Sequence, residues 1–101
     1  DSPVVPPDIV QTLWSAVTRQ TRSGVVLGPE QRIKAIDALR ALTINAATQQ
    51  GEAALKGSIT VGKQADFVIV SRDPTSADPA ALRGISVYRT VSRGRTVYQA
   101  P

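Results

Sequence analysis

Apolar positions follow a helical period in the first half of the chain and a strand period in the second. Ile9, Leu13, Ala16 and Val17 recur at i, i+4, i+7 and i+8, with Trp14 beside them and Asp8 ahead of them. That spacing puts one apolar stripe on a helix over about residues 8–20, with Asp8 as its N-cap and Trp14 in the core. Further on, Ala35, Ile36, Leu39, Leu42 and Ala46 share a face from which Asp37, Arg40 and Gln49 turn away. This pattern predicts one helix from Ile33 to Gln50, closed by Gly51.

After Gly57 the period shortens. Ala65 to Ser71 reads as a strand, and its run Phe67-Val68-Ile69-Val70 is contiguous rather than alternating. A contiguous apolar strand is one that expects cover on both faces. Asp73-Pro74 ends it, and Thr75–Leu82 is a loop with a short helix after Asp78-Pro79. Ile85 to Val91 alternates, Arg93-Gly94 makes a two-residue hairpin turn, and Arg95 to Tyr98 returns. Pro3, Pro6 and Pro7 mark an extended start, and Ser23-Gly24 and Gly28-Pro29 punctuate a long loop from Thr21 to Arg32. The order is therefore loop, helix, loop, helix and at least three strands. Two helices cover one side of such a sheet, and the Phe67–Val70 run needs both sides covered. The chain reads as two unfinished pieces of something larger.

Composition narrows the chemistry. The 101 residues are 42% hydrophobic and 20% charged, which is globular rather than disordered. No stretch approaches the ~20 apolar residues of a membrane-spanning helix. The chain has no Cys, hence no disulfide framework and no thiol nucleophile. It has no His, which excludes Ser-His-Asp catalysis and His-ligated metal sites built from these residues alone. It has no Met, and an opening of Asp1-Ser2-Pro3 reads as that of a processed product or a fragment. Twelve Lys and Arg against eight Asp and Glu give a net charge of +4. The arginines are scattered rather than clustered, so they read as solvated surface and not as a nucleic-acid footprint.

Five segments resemble one family. Gly57-Ser58-Ile59-Thr60-Val61-Gly62-Lys63-Gln64-Ala65-Asp66-Phe67-Val68-Ile69-Val70 is similar to the G-S-I-x-x-G-K-x-A-D-[FL]-V-[IV] segment near the C-terminus of metal-dependent amidohydrolases. Ala38 to Ala47 resembles the A-L-R-x-x-T-x-N-A-A helix that precedes it. Gly28 to Ile33 and Arg93 to Tyr98 fit the same tail, and Asp1-Ser2-Pro3-Val4 resembles the S-D-x-P segment after the last barrel strand. Lys34 departs from the pattern, standing where relatives often carry a helix-capping Ser. The subgroup resembled is amidohydrolase family 3, the YtcJ-like type.

The resemblance implies an α/β fold: the end of a (β/α)8 (TIM) barrel over residues 1–52 and part of a C-terminal composite β-sandwich over residues 53–101. It implies hydrolysis of C–N bonds in non-peptide or cyclic amides, assisted by a divalent metal, zinc in the first instance. Family ligands are mostly His on earlier strands, joined by one Asp at the end of the eighth strand. That Asp contacts the metal and the water and shuttles the proton, and Asp1 matches its position. Arg19 and Arg22 flank the Thr21–Arg32 loop and are candidates for gripping a substrate carboxylate. Asp66 and Asp73 read as turn residues rather than further catalytic acids. The implied partners are the rest of a parent chain, whose N-terminal strands would cover Phe67–Val70, and a small-molecule amide. Nucleic acid and membrane are not expected, a homo-oligomer is compatible with the reading, and the implied compartment is cytoplasmic. On its own the segment would be inactive. The competing reading is an independent small α+β interaction module without catalysis.

Overall fold

The computed structural model describes residues 3–101. Helix α1 runs over Ile9–Thr18. Its start is fixed by Asp8, whose side chain accepts from the Gln11 amide at 3.0 Å and so satisfies one of the unpaired amides of the first turn. Its end is fixed by Arg19, a non-glycine residue in the left-handed region (φ 55°) whose amide donates to Ser15 O at 2.8 Å. A short 3₁₀-helix, Pro29–Gln31, follows in the connecting loop.

The helix expected from Ile33 to Gln50 is two helices, α2 (Ala35–Leu42) and α3 (Ile44–Gln49). The break lies at Thr43 (φ −126°, ψ −94°) and has a local cause. Thr43 Oγ1 donates to Leu39 O at 2.6 Å, taking the carbonyl that an unbroken helix would pair with the Thr43 amide. That amide turns to Arg40 O at 3.2 Å instead. The start is also two residues later than expected, with extended Lys34 (φ −70°, ψ 151°) at the N-cap and no side-chain cap hydrogen bond. The C-terminal end follows expectation. Gly51 (φ +74°) lets its own amide reach Thr48 O and the Glu52 amide reach Ala47 O, the paired bonds of a Schellman closure.

Strands β1 (Phe67–Val70), β2 (Val87–Ser92) and β3 (Arg95–Gln99) form an antiparallel sheet in the order β1-β2-β3. The register pairs Phe67 with Val91 and Ile69 with Arg89, then shifts by one between Ile69 and Val70. A second shift lies between Thr90 and Val91 where β2 meets β3. The hairpin turn is Arg93-Gly94, with φ of +49° and +75°, the paired positive angles that match the twist of a tight hairpin. Between β1 and β2 the 3₁₀-helix Pro79–Gly84 forms as expected, with the Asp78 side chain accepting from the Ala80 amide at 2.9 Å.

The core lies among α1, α2 and this second 3₁₀-helix. Leu13, Trp14 and Val17 come from α1, Ala38 from α2, and Leu82 and Ile85 from the later segment. The helical layer therefore recruits residues from well beyond position 52. Trp14 is 5% exposed, so the core reading of that residue holds. Arg83 lies 4.8 Å from the centre of its ring and donates to Gln11 Oε1 at 3.1 Å, which ties the 3₁₀-helix to α1.

This core covers little of the sheet beyond Val70. Phe67, Val68 and Ile69 remain 37%, 55% and 43% exposed and the outer edge of β1 is unpaired, while Val70 at its end packs against the core. The whole chain exposes 7411 Å², against about 5,500 Å² for a self-contained protein of this mass. Its radius of gyration is 14.6 Å, against about 12.7 Å for a compact domain of this length. The Phe67–Ile69 part of the contiguous apolar run is thus largely exposed within this chain.

Candidate functional site

Of the candidate residues, the structure describes Arg19 and Arg22. Asp1 lies outside the described residues, ahead of the N-terminal end of α1, while Arg19 and Arg22 follow its C-terminal end.

Arg19 is committed to the loop. Its Nε donates to Leu27 O at 3.0 Å and its Nη2 to Gln31 Oε1 at 3.1 Å. Its carbonyl accepts from the Leu27 amide at 2.9 Å, so backbone and side chain hold the same residue. Arg32 makes the matching bond from the other end, with Nε donating to Thr18 O at 3.0 Å. That carbonyl belongs to the last turn of α1, where cationic donors are favoured. Sequence reasoning missed Arg32; the available signal was its place three residues beyond the Gly28-Pro29 punctuation, where a loop returns to its helix.

Between these clamps the loop is a small, hydrogen-bonded hairpin. Gln20 bridges Val26, and the Thr21 amide donates to Val25 O at 2.8 Å. Thr21 Oγ1 accepts from the Val25 amide at 3.0 Å and lies 3.0 Å from Ser23 Oγ. Arg22, at the exposed tip, makes no hydrogen bond or ion pair among the described residues. The structure thus separates two arginines that sequence reasoning had grouped. One fixes the loop and the other is presented by it.

Two open grooves flank this region. One, of about 450 Å³, is lined by Val17, Ile33, Lys34, Ile36, Thr75 and Pro79 among others. The second, of about 380 Å³, touches Thr18, Gln20, Val26, Arg32 and Asp78. Arg19 and Arg22 line neither.

The remaining polar groups have structural partners. Asp66 Oδ1 accepts from the Arg93 amide at 2.7 Å, while the Gly94 amide donates to Ala65 O at 3.0 Å. Asp66 therefore fastens the β2–β3 turn to the start of β1, while nearby Lys63 donates to Ser58 Oγ at 2.8 Å. Asp73 accepts from the Thr75 hydroxyl at 2.7 Å and the Thr75 amide at 2.8 Å. Those hydrogen bonds stabilise its charged form and hold its carboxyl below the ordinary Asp range. Both acids fit the turn reading.

No group of three or more His, Cys, Asp or Glu side chains converges among the described residues, and the sequence contains neither His nor Cys. The described residues thus offer no side-chain cluster of the kind that holds a metal ion. No helix among them is long and apolar enough to cross a membrane.

A sequence model of the amidohydrolase family matches residues 1–98. The chain belongs to the amidohydrolase family. Similar members of known description are much longer. The N-substituted formamide deformylase of Arthrobacter pascens is 37% identical over 89 residues, which is 88% of this chain and 16% of that protein. The Bacillus subtilis (strain 168) protein named "Putative amidohydrolase YtcJ" is 29% identical over 102 aligned positions, covering 98% of this chain and 19% of its own length. The chain spans less than a fifth of the curated relatives it matches. No solved structure matches it.

Proposed function

We propose that these residues are the C-terminal part of a metal-dependent amidohydrolase that cleaves C–N bonds in non-peptide or cyclic amides. The observation that carries this reading is the family match across residues 1–98, which spans helices and sheet together. In this reading α1, α2 and α3 belong to the end of a (β/α)8 barrel and the three strands to a composite β-sandwich. The rest of the sandwich comes from elsewhere in the parent chain and pairs with β1. The open edge of β1, the exposed Phe67, Val68 and Ile69 and the excess of about 1,900 Å² of surface support a partner of that kind.

The chemistry assigned to this chain is narrow. Asp1 contributes a carboxylate at the C-terminal end of the last barrel strand, where barrel enzymes place their reacting groups. A divalent metal, zinc in the first instance, belongs to the parent protein, and its other ligands lie outside these residues. Arg22, rather than Arg19, is the side chain available to meet a polar substrate group, because Arg19 is held by Leu27 and Gln31.

The test uses the full-length polypeptide. The formamide deformylase relative makes N-substituted formamides the first substrates to assay, followed by cyclic amides. Turnover that disappears on chelation and returns with zinc is the expected result, together with loss of turnover and an unchanged circular dichroism spectrum in Asp1→Asn. Retained activity in Asp1→Asn removes that residue from the site. No hydrolysis across the amide panel by metal-loaded protein removes the function. The alternative, an independent interaction module, requires residues 1–101 alone to unfold cooperatively as a monomer without binding an apolar dye. The uncovered β1 counts against it.

A further inference from the structure

We draw no further inference here: the strongest candidate, the apolar groove of about 450 Å³ between α1, the start of α2 and the Thr75–Pro79 segment, carries nothing because no feature of the structure shows what covers it.

Discussion

Gly57 and Gly62 have nearly the same backbone angle, φ +94° and +92°, in opposite surroundings. A Cβ built on Gly57 would lie 2.7 Å from Ala47 Cβ and 3.0 Å from Ile44 Cα, whereas one on Gly62 would meet nothing within 4 Å. The pair therefore separates two reasons for glycine. Gly62→Ala has only the backbone to strain, at about 1–2 kcal/mol for an L-residue forced to positive φ. Gly57→Ala carries that cost plus about 1–3 kcal/mol of overpacking against α3, whose backbone at Ile44 gives less readily than a side chain. The total for Gly57→Ala is then about 2–5 kcal/mol. Urea unfolding of the full-length polypeptide, read as midpoint shifts at constant slope, measures both. Ala47→Gly should recover part of the loss in the double variant, a coupling of about 0.5–3 kcal/mol, since one of the two close contacts disappears. Equal shifts for Gly57→Ala and Gly62→Ala, or no coupling to Ala47→Gly, would refute the close crossing of the chain over α3.

Trp14→Ala should cost about 3–5 kcal/mol as a large core truncation. Arg83→Ala, which removes only the ring-facing cation and its bond to Gln11, should cost about 1 kcal/mol; comparable losses in urea unfolding would contradict the burial of Trp14. Asp66→Ala should cost about 1–3 kcal/mol and speed hydrogen exchange at the Arg93 amide, with Lys63→Ala leaving that amide unchanged. Arg19→Ala should accelerate exchange at the Leu27 amide about tenfold while Arg22→Ala does not; equal effects would undo the division between the two arginines. The Asp73 carboxyl, followed by NMR, should titrate below the ordinary Asp range and move up towards it in Thr75→Val. Because its folded-state pKa is depressed, its contribution to stability is present above the unfolded-state value. That contribution is lost as pH falls through the folded one, on the acid side of about pH 4. A Thr75→Val carboxyl that titrates where the wild type does would refute the hydrogen-bond cause.

Local rules decided much of this molecule from its sequence. Asp8 and Asp78 cap their helices, Gly51 closes α3 and Arg93-Gly94 turns the hairpin, because each involves groups only a few residues apart. The apolar spacing in α1 placed Trp14 inside for the same reason. The family was also readable, since its motifs lie in order along the chain. Other features depended on distance in space. Thr43 breaks a strongly periodic helix because its hydroxyl takes one carbonyl, a competition that periodicity does not register. Asp66 finds a partner 27 residues away, and Arg32 reaches back to the end of α1. Leu82 and Ile85 join a core that their sequence position assigned to the sheet half. The contiguous apolar run Phe67–Val70 stated that β1 needs two covered faces; only the tertiary structure showed that this chain packs Val70 against its core and leaves Phe67, Val68 and Ile69 exposed, because its helices pack mainly on one another and on the Pro79–Gly84 segment.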